Sequence, residues 1–140
     1  MAWLQKFLTP DFMQKIFIII GAVLAGLAVV LGAFGAHGLK KVVTPENVAI
    51  YQTGVQYQMY HALGLILIGI LSERILNNYL SYAGVLFVAG VVLFSGSLYL
   101  IVSLYAMNRS VPTAVGILTP IGGFLFILGW LCFLVSLLKK

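Results

Sequence analysis

Charge is what this chain has least of. Of its 140 residues only three are acidic and eight are Lys or Arg, leaving 8% of positions charged, where soluble domains carry roughly 25%. That scarcity excludes a soluble globular fold. The acids are Asp11, Glu46 and Glu73, so no carboxylate stands inside a long apolar stretch, which weakens proton-coupled transport in particular. Cysteine is scarcer still. Cys132 stands alone, cannot form an internal disulfide and reads as a small buried hydrophobe. No basic run is long enough for nucleic acid, and the net charge of +5 suits anionic lipid headgroups instead.

What fills the chain is hydrocarbon. Apolar residues make up 62% of it and the mean hydropathy is +1.12. Ile16 to Leu39, Asn47 to Ser72, Ile75 to Asn108 and Ser110 to Leu138 contain no charge at all. Each supplies the ~20 residues that cross a ~30 Å hydrocarbon core. The runs are continuously apolar rather than alternating, and each must satisfy its own backbone inside lipid, so they read as helices and not barrel strands. The expected architecture is an all-α integral membrane four-helix bundle with antiparallel spans near 16–38, 50–72, 80–106 and 112–137, forming one domain over 1–140. Ala33, Gly35 and Ala36 loosely resemble a signal-peptide cleavage site, but the preceding run is longer than an h-region of about 7–15 residues. The first run is therefore read as an uncleaved span.

Local signals mark the helix ends. Trp3, Leu4, Phe7 and Leu8 recur at helical spacing beside Gln5 and Lys6, as in a short helix lying in the membrane interface. Thr9-Pro10-Asp11 and Thr44-Pro45-Glu46 each combine a cap, a first-turn proline and an acid near the positive end of the helix dipole. Asn108-Arg109-Ser110 and Pro112 form a short loop that makes the last two spans a tight hairpin; the sequon in it lies too close to both spans to be modified. In the fourth span, Thr119-Pro120 and the following Gly122 and Gly123 predict a kink or break.

Small residues suggest where helices meet. In the first span Gly21, Gly26, Gly32 and Gly35, with their alanine neighbours, permit close backbone approach and make that helix the expected centre of the bundle. Gly96, flanked by Ser95 and Ser97, and Gly116, Gly122 and Gly123 suggest further crossings.

The second span is unusual in its polarity. Tyr51, Gln52, Gln56, Tyr57, Gln58, Tyr60 and His61 point in nearly every direction around a helix of 3.6 residues per turn, so its first half must be interfacial or enclosed by protein. Gln52, Gln56 and Tyr60 share a face, and Tyr57 and His61 stand one turn apart. His37 ends the first span; the short loop between the helices places the two histidines, the only ones in the chain, near the same membrane face.

Four stretches carry a resemblance. Gly-Ala-Phe-Gly-Ala-His-Gly-Leu-Lys at Gly32 to Lys40, Tyr-Gln-Met-Tyr-His-Ala-Leu at Tyr57 to Leu63, Leu-Phe-Ser-Gly-Ser-Leu-Tyr at Leu93 to Tyr99, and Thr-Pro-Ile-Gly-Gly with Gly-Trp between Thr119 and Trp130 are similar to the domain of unknown function 423 family, which includes proteins like transmembrane protein 256. The likeness covers nearly the whole chain in order. It implies a small four-helix membrane protein, bacterial by its short loops and so of the plasma membrane, with no established activity.

Three readings of the polar residues compete. His37 and His61 act as caps and interhelical glue, which is the commonest use of such groups. Alternatively His37, Gln56, Tyr57, Tyr60, His61, Ser95, Ser97 and Thr119 line a path for a proton, ion or small solute. A third reading makes the histidines axial haem or metal ligands, although no carboxylate accompanies them. The first leads to a non-enzymatic interaction or assembly component of the membrane, with no cofactor or metal and with the lipid bilayer, a second copy or another membrane protein as partner; the alternative is a channel or transporter near His37 and His61.

Orientation follows from the basic residues. Lys6, Lys15, Arg74, Lys139 and Lys140 fall on the side of the termini, against Lys40, Lys41 and Arg109 on the other. The excess predicts cytoplasmic termini. A C-terminal green fluorescent protein fusion should fluoresce, while alkaline phosphatase fused at the same place should be inactive; the opposite pair of results refutes the assignment.

Overall fold

The computed structural model describes residues 10–75 and 77–139. Four long helices account for almost all of them: α1 (Pro10–His37), α2 (Pro45–Leu71), α3 (Asn78–Ala106) and α4 (Thr113–Leu138). All four are long and apolar enough to cross a bilayer, and no strand occurs among the described residues. The protein is an all-α four-helix membrane bundle. The interfacial helix expected at Trp3 to Leu8 and the Thr9 cap lie outside the described residues.

Tight connections hold neighbours antiparallel. A single 3₁₀ turn, Leu39–Lys41, leads from α1 towards α2, whose first turn opens with Pro45 and is capped by the Thr44 hydroxyl accepting from the Asn47 N–H at 3.4 Å. Between α3 and α4, Asn108 takes a left-handed conformation, with φ of 54°, where asparagine is better tolerated than most residues. The Arg109 N–H then bonds back to the Leu104 carbonyl and closes the end of α3.

The centre of the bundle is α2, not α1. Half of the most apolar stretch of α2 is buried, against 17% for α1, which packs along one flank. The small residues of α1 decide how closely it approaches one neighbour and not how many neighbours it has. A Cβ on Gly21 would stand 2.7 Å from the Ala62 carbonyl, and one on Gly35 2.7 Å from Gln52 Nε2; at Gly32 it would meet Val55 at 3.3 Å. Gly26 and Gly96 face open space, as does Gly116, so none of these is a crossing point within the chain. Glycines of α2 itself seat the other helices. Gly54 receives Tyr99, Gly64 receives Phe87, and Gly69 lies against the α1 backbone at Gln14 and Ile18. Phe17, Leu65, Ile68, Leu80, Phe87 and Phe126 form the main core, and a second cluster gathers around Tyr51 and Val102.

The break expected in α4 is absent, and α3 carries an irregular turn that the sequence did not announce. Helix α4 runs unbroken through Pro120, whereas α3 carries a π-helical turn at Val91–Ser95. The two are opposite each other. The Phe94 backbone occupies the place where a Gly122 side chain would be, and Gly123 lies in ordinary contact with the Phe94 ring. In a membrane helix, neighbouring groups relieve the missing proline N–H, so Pro120 need not end the helix.

These contacts rank the glycines. Gly21→Ala should lower thermal stability in detergent by about 1–3 kcal/mol, because the carbonyl it meets is backbone and cannot step aside. Gly26→Ala should stay within about 0.5 kcal/mol of the parent; equal losses for both would contradict the packing described.

Candidate functional site

Depth comes first, because it sets what surrounds each side chain. Glu46 and Glu73 bracket α2, and with a rise of ~1.5 Å per residue the point midway between them lies within about 3 Å of His61. His61 therefore sits near the bilayer midplane. His37 does not accompany it. It is exposed at the end of α1, where Gly35 is level with Tyr51 and Gln52, placing His61 roughly 15 Å deeper along α2. The short connection brings the helix ends together, but a helix started at Pro45 has carried His61 far from that end. The two histidines therefore cannot serve as ligands to one haem iron or metal. Among the described residues no three of His, Cys, Asp and Glu gather as a metal site.

Both nitrogens of His61 are engaged. Nδ1 lies 2.7 Å from the Tyr57 carbonyl, and Trp130 Nε1–H donates to Nε2 at 3.2 Å. A carbonyl only accepts and an indole N–H only donates, so the ring is the neutral tautomer protonated on Nδ1. Its face stacks on Phe126 with centroids 3.5 Å apart, and Phe87 presents an edge at 5.0 Å. Phe87 is wedged between α2 and α4 because Gly64 on one and Gly129 on the other leave it room. Tyr57 completes the cluster, 4.6 Å from the Phe94 ring.

The other polar side chains form separate bridges. Gln58 Nε2 donates to the Leu24 carbonyl of α1 at 2.8 Å, while its Oε1 accepts from the Tyr99 hydroxyl of α3 at 2.9 Å. One amide thus ties three helices. Gln52 reaches the Gly32 carbonyl at 3.4 Å, and the Ser97 and Thr119 hydroxyls meet at 2.7 Å between α3 and α4. Near the ends of the same two helices, Asn77 donates to the Ser136 carbonyl at 2.9 Å. Ser95, in the π turn, is wholly buried and its hydroxyl has no partner among the described residues.

The residues expected to form one path thus fall in different places. Tyr57 and His61 belong to the aromatic cluster, Ser97 and Thr119 pair with each other, Ser95 is enclosed alone, and His37 is at the surface. Gln56 and Tyr60 face outward from α2. Beside them, α2 and α4 stand apart and are bridged mainly by rings, leaving a lateral groove of about 780 Å³ lined by Tyr57, Tyr60, Phe94, Gly123, Ile127 and Trp130, among others. The sequence reading missed Gln58 as the central bridge and Trp130 as the partner of His61. Gln58 precedes His61 by three residues and so shares its inward face, which is the signal that could have singled it out.

Two measurements follow from the bridges. Nitrogen NMR of labelled His61 should show a protonated Nδ1 and an unprotonated Nε2, and the reverse tautomer would break the assignment. Gln58→Leu should destabilise the fold by about 1–3 kcal/mol, since it strands the Tyr99 hydroxyl and removes the bond that ties α2 to the Leu24 carbonyl of α1; an unchanged melting temperature would show that the bridge contributes nothing.

Comparison with known proteins places this arrangement in a family. The family model described as protein of unknown function (DUF423) matches residues 31–123. The UPF0382 membrane protein YwdK of Bacillus subtilis is 44% identical over 127 residues, covering 90% of this chain and 98% of its own length. A UPF0382 membrane protein of Staphylococcus haemolyticus is also 44% identical, over 126 residues, with the same coverage of both chains. No solved structure matches. The matched region holds the end of α1, all of α2 and α3 and the Pro120 to Gly123 stretch of α4, and on that footing the chain belongs to the DUF423 family of multi-pass membrane proteins.

Proposed function

We propose that this protein is a non-enzymatic interaction component of the bacterial plasma membrane, with both termini cytoplasmic, that presents the outer face of α2 and the adjoining groove to a partner within the bilayer. The observation that carries this reading is how the polar groups divide. Those turned inward are mostly spent on interhelical hydrogen bonds, with both nitrogens of His61 occupied. Those left over, the side chains of Gln56, Tyr57 and Tyr60, face outward at the depth of the hydrocarbon. A proton or ion path needs polar groups that hand on to one another, and the bridges here end in backbone carbonyls or in one another. Unsatisfied polar groups on a lipid-facing surface favour association instead.

A photoreactive residue placed at Tyr60 or Phe124, both exposed beside the groove, should give a discrete adduct in intact membranes, and one at Val85 on the far helix should not. Proteoliposomes should carry no more proton or ion flux than empty vesicles. A pH-dependent flux that His61→Ala abolishes would overturn the reading and favour a transport path.

A further inference from the structure

Along the outermost strip of α2 stand Thr53, half-buried, and then the exposed Gln56, Tyr60, Leu63, Leu67 and Ile70, with Tyr57, also exposed, to one side among the rings that face α4. They follow one another at alternating steps of three and four residues, the spacing of a seam that a second helix matches at a shallow crossing angle. Every other face of α2 is occupied by α1, by α3 or by the rings that bridge to α4. The seam is therefore a narrow strip of the central helix left without a neighbour.

Its upper part is polar where polarity is hardest to bear. Gln56 lies about 5 Å from the midpoint between Glu46 and Glu73, too deep for its side chain to reach a headgroup. Gln52 and Gln58 both bond to α1, whereas Gln56 makes no side-chain hydrogen bond among the described residues. Lipid tails supply neither donor nor acceptor, so an amide there demands a partner that brings both.

We infer that the partner is a second copy of this chain, and that the seam of α2 is the interface of a parallel homodimer in which the two Gln56 side chains bond to each other. This rests on the reading of the protein as an interaction component. All copies inserted with one orientation can pair only about an axis along the bilayer normal, so each seam residue meets its own counterpart at the same depth. Such an axis admits only side chains that complement themselves. A carboxamide does, because each of two identical amides offers an N–H to the other's oxygen, and a hydroxyl does as well. Gln56 and Tyr60, one turn apart, are of these two kinds, and Leu63, Leu67 and Ile70 extend the contact with dispersion packing. No charge lies on the seam between Thr53 and Ile70. Tyr60 borders both the seam and the groove towards α4, which leaves the second α2 room to approach.

Single cysteines at Tyr60, Leu63 and Leu67, in a full-length chain carrying Cys132→Ala, should crosslink into covalent dimers when native membranes are treated with a lipid-permeant oxidant. The equally exposed controls Val85→Cys and Ile117→Cys should stay largely monomeric. In vesicles carrying donor- and acceptor-labelled chains, Gln56→Leu should weaken self-association roughly five- to thirty-fold, and Gln56→Asn should restore part of it. Neither should move the melting temperature of the detergent-solubilised monomer. Should Gln56→Leu fail to accumulate, the cysteine pattern alone decides. Equal crosslinking at seam and control positions overturns the dimer. Adducts at Tyr60 to a different protein without self-crosslinks also overturn it while sustaining the interaction reading, and no adduct of either kind removes both.

Discussion

Hydrocarbon forms no hydrogen bonds, and α2 carries more polar side chains into it than any other helix of this protein. The rest of the structure is arranged around that demand. Gln58 is met from both sides, by a backbone carbonyl of α1 and the hydroxyl of Tyr99 on α3, and His61 is met by Trp130 of α4. Because each of these partners comes from a different helix, satisfying α2 ties all three others to it, α1 and α3 directly and α4 through its rings. A polar side chain in an aqueous core would have had water as an alternative. Here the alternative is an unmade bond, so the same residues that make the sequence of α2 look poorly suited to a membrane make it the centre of the bundle.

Size does the remaining work. Phe87 fits between α2 and α4 because Gly64 and Gly129 vacate space on both sides of it, and Phe126 stacks flat on the His61 ring. Filling the middle with rings holds α2 and α4 apart, and the groove beside Tyr57 and Tyr60 is the result. Close approach is found instead between α3 and α4, where Gly122 admits the backbone of the π turn at Phe94. The bundle therefore has a tightly closed side and an open one, and the open side coincides with the outward polar residues of α2.

Much of this could be read without coordinates. Charge-free runs of the right length declare four membrane helices, and Thr44-Pro45-Glu46 announces the start of α2. The enclosure of the polar half of α2 by protein also follows from its having polar groups on every face. The position of His61 was within reach as well: sixteen residues of helix after Pro45 outweigh a short loop, and counting the rise separates the histidines. Other features have no local signature. Gly21 and Gly26 look alike in sequence, yet one touches the α2 backbone and the other faces outward. Nothing near Val91–Ser95 marks a π turn, since it depends on what Gly122 allows from the opposite helix.

Sequence alone determined the medium, the number of spans and the type of fold, because these depend on how long a segment stays apolar and on the backbone's need to bond within it. Tertiary structure decided which helix is central, which polar residues are spent and which are left facing outward. Those outcomes depend on whether a given donor meets an acceptor on another helix within about 3 Å, a condition set jointly by packing partners distant in sequence. Gln56 and Gln58 stand two residues apart and are chemically identical. Gln58 binds three helices together, and Gln56 has no hydrogen-bond partner among the described residues.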